Sequence, residues 1–405
     1  MPANELTLAQ ALDELVRWLP PVSEAESIET RAAAGRMLAQ DVSSTVDLPA
    51  FDNSAMDGYA LRFTDLQPGH WLHEIGRAYA GHPFSGRVET GTCVRTMTGA
   101  PLPEGADTVV MLEDVTVDGG TVRVERPAQQ GANVRRRGEH MAAGDIALQA
   151  GRRLRAADLG LAAAVGAARL TVRRQVRVGV VSTGDELADP PQTLRAAASF
   201  DANRPLLAAS LDRLGFQAHD LGICRDTPQA FAAALERARE LRLDAVVASG
   251  GAAQGDADIV RTASGVRFIA LNIRPGRGVA VARVDNAGAP MVLFGLPGNA
   301  VAAFVMFHLL ARPLLLHLAG GEAAIPLHIP LPLAGAVRLR GGRIDYRRAR
   351  FVRDASGRLQ VQPLRDQGSA MLRTVTDADA LIALGPREAY ADGDLVDTVP
   401  LALLD

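Results

Sequence analysis

Three short apolar runs, each ending in a glycine-rich polar loop, constrain this chain more than any other feature. They lie between residues 177 and 318, where strand-like runs alternate with helical patterns: VRVGVV before residues 182–186, DAVVAS before residues 250–251, and MVLF before residues 295–299. Almost continuously apolar, β-branched runs of this length are typical of parallel strands that are buried on both faces. We therefore predict a three-layer α/β fold whose ligands bind beyond the carboxyl ends of the strands.

The loops at this predicted edge carry residue types that bind phosphate together with a divalent cation. Gly298 precedes an apolar helix, so a ligand can approach the outward-pointing amide groups of the first helical turn. Ser249-Gly250-Gly251 carries the same signal, and both stretches are equally typical of ordinary turns. Mg²⁺ takes few carboxylates together with phosphate oxygens. The candidate ligands, which as a group also suit helix caps and turns, are Asp185, Glu186, Asp256 and Asp258.

A turn with two arginines adds a third signal to the same region. Arg274 and Arg277 flank Pro275-Gly276, and two guanidinium groups around a turn suit bidentate hydrogen bonding to phosphate or another oxyanion. Each of these signals is weak alone. Because they follow successive strands, together they predict a site for a phosphate-bearing ligand.

The rest of the chain predicts a multidomain protein with two further β-rich parts. Apolar spacing predicts helices over residues 7–19, 28–38 and 156–165. Short strand patterns with turn residues predict a small β-rich domain over residues 46–130 and a β-barrel-like domain over residues 323–405. Residues 176–322 form the predicted α/β domain, and residues 1–45 with 131–175 form an elongated helical and linker domain.

Composition favours a cytoplasmic protein that binds neither nucleic acid nor membrane. The net charge is -3, which provides no electrostatic attraction to either. Cys93 and Cys224 lack metal-ligand spacing and are expected to be reduced thiols. No basic-then-apolar leader opens the chain. The most apolar run, residues 300–318, contains His308 and Arg312, so it indicates a buried helix rather than a membrane span.

Six stretches of the chain together resemble the MoeA-type molybdopterin molybdenumtransferases, the family that includes the gephyrin E domain. The match extends from residue 10 to about residue 399. The stretches are FDNSAMDGYA (51–60), MTGAP (97–101), RRGE (136–139), STGDEL (182–187), the spaced pattern over 249–258, and GLPGN (295–299). Among them FDNSAMDGYA is very specific to the family.

The resemblance implies an activity, a fold and a set of partners. The activity is Mg²⁺-dependent insertion of molybdate into adenylylated molybdopterin with release of AMP. The fold is an elongated four-part subunit around a central MoaB/Mog-like molybdopterin-binding domain. The implied assembly is a homodimer whose site lies between the α/β domain of one chain and the small β domain of the other. Molybdopterin adenylyltransferase and molybdoenzyme maturation proteins are further candidate partners.

The resemblance also assigns roles to individual residues. Those matched as catalytic are Asp57, Thr98, Glu186, Asp226 and Asp258. In the C-terminal domain, Arg348 and Ser369 are matched as oxyanion contacts. Together with the strand-end loops, the predicted binding set is Ser182, Gly184, Ser249, Gly250, Gly251, Arg274, Pro275, Arg277, Pro297, Gly298, Asn299, Arg348 and Ser369.

Several positions depart from the family pattern and support an alternative hypothesis. His140 stands where the family usually has an aspartate after Gly-Glu, and Arg274 and Arg277 replace two lysines. Alanines replace a serine, a lysine and a serine at Ala253, Ala270 and Ala302. The alternative is therefore a divergent paralogue that binds the pterin or a partner with reduced or altered activity, including use of tungstate in place of molybdate.

Overall fold

The described residues form two compact units. A computed structural model describes residues 5–22, 24–67, 69–126, 128–251, 266–284, 290–339 and 342–404. The α/β unit comprises Met1–Glu26, Gly35–Ala39 and Val172–Asp405, and the β unit comprises Ser27–Ala34 and Gln40–Thr171. The four-part division predicted from the sequence is finer than these two units and stays a prediction.

The β unit is built around a six-stranded sheet. Helix α2 (Ala156–Ala164) belongs to this unit, helix α1 (Leu8–Trp18) belongs to the α/β unit, and twelve strands lie before residue 174. These are β1 (Ala25–Glu29), β2 (Val42–Ser43), β3 (Asn53–Ser54), β4 (Gly58–Leu61), β5 (Trp71–Ala78), β6 (Thr92–Thr96), β7 (Thr108–Met111), β8 (Val115–Asp118), β9 (Thr121–Val124), β10 (Val134–Arg135), β11 (Ile146–Leu148) and β12 (Arg169–Arg173). The sheet has the order β7-β4-β6-β5-β9-β8, which confirms the short strands predicted there.

The helix predicted over residues 28–38 is wrong. Strand β1 covers the first two of these residues, and a 3₁₀ turn, Thr30–Ala32, follows it. The Thr30 amide and hydroxyl donate to the carbonyls of Ala168 and Ala167, far along the chain. Gly35 has a φ of 76°, a left-handed conformation that a right-handed helix cannot contain. Tertiary hydrogen bonds therefore override the helical spacing.

The α/β unit contains the predicted sheet, in which five strands run in one direction and one runs in the opposite direction. Its strands are β13 (Arg177–Thr183), β14 (Leu187–Ala188), β15 (Ser199–Phe200), β16 (Gln217–Cys224), β17 (Ala245–Ser249), β18 (Arg267–Ala270), β19 (Ile273–Arg274), β20 (Gly278–Val284) and β21 (Met291–Leu296). The main sheet has the order β16-β13-β17-β21-β20-β18. The first four are parallel, β20 runs antiparallel to β21, and β18 pairs antiparallel to β20 and so has the direction of the first four.

Helices cover both faces of this sheet, because alternate side chains of each strand point to opposite sides. The helices are α3 (Asn203–Arg213), α4 (Pro228–Glu240), α5 (Ala300–Met306), α6 (Arg312–Leu318) and, in the C-terminal region, α7 (Arg373–Thr376). Val180 and Val247 pack with α3, α5 and α6 in one core, and Val181 and Val246 pack with α4 in the other. The three-layer prediction is confirmed.

Five of the seven C-terminal strands form a second sheet that also contains one strand from the preceding α/β region, and the other two, the second and the sixth, pair with each other. They are β22 (Ile329–Pro332), β23 (Val337–Arg338), β24 (Ile344–Arg353), β25 (Leu359–Pro363), β26 (Ala380–Leu384), β27 (Ala389–Tyr390) and β28 (Leu395–Pro400). The sheet order is β19-β24-β26-β28-β22. Because β19 pairs with β24, Arg274 lies opposite Asp345, and the arginine turn is brought beside the C-terminal sheet.

The apolar run Ala300–Leu318 is a core helix. Helices α5 and α6 are joined by a π-helical segment, Phe307–Ala311. By length and composition the run is able to cross a membrane, but 83% of its most apolar window is buried inside the protein. His308 is 2% exposed, its Nδ1 has no hydrogen-bond partner, and its ring packs edge-on against Phe304 and Phe307.

Buried His308 is expected to make the protein less stable in acid. Burial, reinforced by the Arg312 charge, lowers the pKa of His308 to about 3. In the unfolded chain a histidine pKa is about 6.5, so between these values the unfolded state binds the extra proton and stability falls as pH falls. Lowering the pH from 7.5 to 4.5 should reduce the free energy of unfolding of the wild-type protein by about 3 kcal/mol more than that of His308→Leu, measured by urea denaturation.

The exposed His82 supplies the control for this measurement. His82→Gln should leave the pH dependence of the wild-type protein unchanged, because its side chain is exposed. Parallel pH profiles for wild type and His308→Leu would contradict the assignment of the acid sensitivity to His308.

Candidate active site

The three predicted loops lie side by side at one edge of the main sheet. Strand β13 is paired with β17 so that Ser182 lies opposite Ser249, and β17 is paired with β21 so that Ser249 lies opposite Leu296. Since these strands are parallel, the loops that follow them leave the sheet in the same direction. The structure thus brings together the loops at Gly184, Gly250 and Gly298.

The two serines at these strand ends are buried and bonded inside the protein. Ser182 and Ser249 are each 1% exposed. The Ser182 hydroxyl donates to Asp201 at 3.0 Å, and the Ser249 hydroxyl contacts the Pro297 carbonyl at 3.3 Å. These bonds support the loop structure, and the predicted contact of both serines with a ligand stays a prediction.

Gly250 can be replaced by no other residue without strain. Its φ is 93°, and a Cβ built on it would lie 2.5 Å from the Thr183 carbonyl oxygen. Its amide donates to the Leu296 carbonyl at 3.1 Å. The residue therefore allows the loops after β13, β17 and β21 to approach one another closely. Gly251 continues the turn with a φ of 63°.

A cavity of about 770 Å³ opens beside this edge, between the α/β sheet and the C-terminal sheet. It contains most of the residues predicted to bind an anion: Arg274, Pro275, Arg277, Pro297, Gly298, Asn299 and Ser369. It also contains polar residues that the sequence did not single out: Asp345, Arg347 and Gln367. Alternation of polar residues along β24 was the only sequence signal for the first two. Ala302 lines the cavity too, whereas Ala270 is buried at the end of β18.

Charge pairing distinguishes the arginines of the cavity. Arg277 Nε lies 3.1 Å from Glu5, and Arg347 Nε lies 3.0 Å from Asp345. Burial raises the pKa of Glu5, but Arg343 and Arg277 outweigh it and hold that pKa below its usual value. For Arg274 there is no carboxylate within ion-pair distance in the described part of the chain. It is therefore the guanidinium most available to an arriving anion.

Arg348, which was predicted to contact an oxyanion, is buried and does not line the cavity. Side chains of neighbouring strand residues point to opposite faces, so Arg347 faces the cavity and Arg348 is buried, at 1% exposure. Its guanidinium donates to Thr374 Oγ1 at 3.0 Å and to the Gly368 carbonyl at 3.1 Å. It thereby supports the loop that carries Ser369 and does not line the cavity.

The acidic loop after β13 adjoins a second polar cavity of about 610 Å³, which includes Gly184, Asp185, Arg195 and Arg225 in its lining. The Asp185 amide donates to the Asp226 carboxylate at 3.3 Å. Within the described residues, no cluster of three or more metal-binding side chains is present. The predicted Asp256 and Asp258, like Ala253, lie outside the described residues.

The Asp57 carboxylate, in the β unit, is held by Thr98, another residue that was matched as catalytic. Asp57 Oδ1 accepts from the Thr98 amide at 2.7 Å and from the Thr98 hydroxyl at 2.8 Å. These two bonds lower the pKa of Asp57, which keeps the exposed carboxylate ionised at neutral pH. His140 is also exposed, and its backbone amide donates to the Leu48 carbonyl at 3.0 Å.

Comparison with known protein families accounts for nearly all of the chain. Residues 6–166 match the MoeA N-terminal region (domain I and II), residues 179–317 match a probable molybdopterin binding domain, and residues 330–401 match the MoeA C-terminal region (domain IV).

Individual relatives and solved structures agree with these matches. The chain is 35% identical to the molybdopterin molybdenumtransferase of Haemophilus influenzae, with 94% of each chain covered. It is 33% identical to molybdopterin molybdenumtransferase 2 of Mycobacterium tuberculosis, covering 91% of this chain and 92% of the relative. A MoeA crystal structure from Pyrococcus horikoshii has a TM-score of 0.75 at 28% identity, covering 98% of this chain and 99% of that one. Another MoeA crystal structure from Pyrococcus horikoshii has a TM-score of 0.82 at 24% identity, covering 98% of this chain and 100% of that one. The chain therefore belongs to the MoeA family of molybdopterin molybdenumtransferases.

Proposed function

We propose that this chain catalyses a step of molybdenum cofactor biosynthesis, the insertion of molybdate into adenylylated molybdopterin with release of AMP. The observation that carries the proposal is the cavity of about 770 Å³, in which the Gly298 turn, Arg274 and Ser369 meet. A glycine turn before a helix suits phosphate, and guanidinium and hydroxyl groups suit an oxyanion. One cavity thus offers donors for both substrates.

Catalysis in this site rests on positioning and charge neutralisation. Both substrates are anions, so holding them together requires fixed donors in place of water. Arg274 supplies a positive charge that can hold an anion. The loops at Gly250 and Gly298 bring backbone groups close to the ligand. Ser369, held in place through Arg348, supplies a hydroxyl donor to the oxyanion.

The carboxylates of the strand-end loops fit a Mg²⁺ ion that arrives with the phosphate-bearing substrate. The Asp226 carboxylate lies beside this loop, where it accepts a hydrogen bond from the Asp185 amide at 3.3 Å, and Mg²⁺ takes few carboxylates when phosphates provide the other ligands. Asp185 and Glu186 would hold the ion, with Asp256 and Asp258 as further candidates. When bound, Mg²⁺ would offset the negative charge of the phosphoanhydride.

A direct assay tests this function. Purified protein is incubated with adenylylated molybdopterin, molybdate and Mg²⁺, and AMP and active cofactor are measured. Equal production of both is expected, at a rate that EDTA abolishes. Absence of both products would refute the proposal. The alternative of a divergent, weakly active paralogue is not favoured, because relatives that cover most of the chain are named molybdopterin molybdenumtransferase. Replacing molybdate with tungstate in the same assay tests the altered-metal form of that alternative.

Loss of Arg274 should weaken molybdate binding more than loss of Arg277. A charge-assisted hydrogen bond contributes about 1.5–3 kcal/mol, so Arg274→Gln should raise the KM for molybdate roughly tenfold or more. Arg277→Gln should raise it less, because Glu5 already balances that charge. Both KM values are measured at fixed ionic strength. A larger effect at Arg277 would contradict the assignment of Arg274 as the main anion contact.

We further propose a homodimer in which each site combines residues of both chains, in the cytoplasm. Mixing Asp57→Ala with Glu186→Gln protein should then restore on the order of one quarter of wild-type activity, because each mixed dimer has one intact site. Native mass spectrometry confirms the exchange of subunits. If exchange occurs and activity does not return, each site belongs to a single chain.

A further inference from the structure

Asn203, at the start of α3, joins two of the loops that surround the cavity. Its side-chain Nδ2 donates to Ser249 Oγ at 2.6 Å and to the Gly298 carbonyl at 2.7 Å. An amide nitrogen carries two hydrogens, so both are used. One acceptor lies at the end of β17, and the other lies in the turn between β21 and α5.

The hydrogen bonds define which way the amide of Asn203 faces. A backbone carbonyl only accepts hydrogen bonds, so the atom 2.7 Å from the Gly298 oxygen has to be the donor nitrogen. The reversed amide would put two acceptor oxygens against each other. The side chain therefore has one favourable orientation, and an aspartate of the same shape cannot reproduce it.

The start of α3 is itself firmly anchored. The Asp201 side chain is 1% exposed. Its Oδ1 accepts from the amides of Asn203 and Arg204 at 3.1 and 3.2 Å, and from the Ser182 hydroxyl at 3.0 Å. Through these bonds the first turn of α3 connects the carboxyl ends of β13, β17 and β21.

The turn that Asn203 holds is part of the cavity. Gly298 lines it, and a Cβ built on Gly298 would lie 3.5 Å from the Gly250 Cα, so the two glycine loops are in close contact. The Asn299 side chain makes no capping bond to α5. Among the side chains of the described residues, Asn203 alone donates to the Gly298 carbonyl.

We propose that Asn203 is a positioning residue, which holds the Gly298 turn against the Gly250 loop at the separation that the phosphate-bearing substrate requires. The identity of that substrate rests on the proposed function, whereas the positioning of the turn does not. Asn203 acts through Gly298 and does not itself supply a charge or a proton to the reaction.

Hydrogen exchange and kinetics of Asn203 variants test the proposal. In the free protein, Asn203→Ala and Asn203→Asp should each accelerate amide exchange in a peptide spanning residues 295–301 by about tenfold or more, the effect of losing one net hydrogen bond. Exchange in β13 should not change. In turnover, the KM for adenylylated molybdopterin should rise about tenfold, with a smaller change in kcat.

Two further variants keep the test decisive. Asp212→Ala, an exposed position on α3, should leave exchange and kinetics at wild-type values. Ser249→Ala removes one of the two acceptors, and combining it with Asn203→Ala should add little to the exchange seen with Asn203→Ala alone. If Asn203→Ala proves too unstable to study, the exchange rates of Asn203→Asp decide whether Asn203 positions the turn.

Each outcome has one meaning. Unchanged exchange at residues 295–301 in Asn203→Ala and Asn203→Asp overturns the proposal, whatever the kinetics show. A raised KM without faster exchange also overturns it, because Asn203 would then contact the substrate directly. Faster exchange in a protein that does not release AMP supports the positioning role and refutes only the proposed function.

Discussion

Asp57→Ala is expected to reduce turnover by about 100-fold or more, as when a positioned charged group is removed from an active site. The carboxylate is exposed, and the Thr98 amide and hydroxyl hold it in one orientation. Because it contributes no buried surface, the free energy of unfolding should change by less than about 1 kcal/mol. AMP release and urea denaturation measure the two quantities.

Two variants separate the charge of Asp57 from its position. Asp57→Asn keeps the shape and loses the charge, so its turnover should be as low as that of the alanine variant. Thr98→Val keeps the charge and removes one of two hydrogen bonds, so it should retain more activity. An Asp57→Ala protein that unfolds or aggregates would place Asp57 in the scaffold instead.

The pH dependence of Asp57 follows from the same bonds. Thr98 lowers its pKa below the usual value, so the folded state holds the ionised form. The stability that these bonds contribute is present above the unfolded pKa of about 3.9 and is lost as the pH falls through the lower folded value. Activity that depends on the Asp57 carboxylate should therefore persist down to about pH 5.

Gly250→Ala is expected to destroy the site through a steric clash. Its Cβ would lie 2.5 Å from the Thr183 carbonyl oxygen and 2.7 Å from the Thr183 hydroxyl oxygen, in addition to the strain of a φ of 93°. The backbone has to move, which should destabilise the protein by about 2 kcal/mol or more and reduce turnover at least about 100-fold. Thermal denaturation and the AMP assay report both effects.

Gly222 provides a matched control for Gly250. It has a φ of 85°, and a Cβ built there meets nothing within 4 Å, so Gly222→Ala carries the backbone strain without the clash. That strain costs about 1–2 kcal/mol, and turnover should remain near the wild-type rate. Equal losses of activity in the two variants would show that strain, and not the contact with Thr183, is responsible.

The sequence was sufficient to predict the main sheet edge and its loops. Parallel strands that are covered on both faces need almost continuous apolar residues, and VRVGVV, DAVVAS and MVLF satisfy that need. Parallel pairing then forces the loops after these strands to one edge. The reversed direction of β20 was not predicted, because a buried antiparallel strand has the same apolar pattern.

By itself, therefore, the sequence determined the α/β layers, the strand-end loops and the types of group they carry. Only the tertiary structure decided which of those groups are buried, which are paired and which face the cavity. It buries the hydroxyls of Ser182 and Ser249, pairs Arg277 with Glu5, and turns Arg347 rather than Arg348 into the cavity. The physical reason is that side chains along a strand alternate between faces, so pairing of β24 with β19 and β26 selects the exposed arginine. Pairing partners far apart in the chain leave no trace in local sequence.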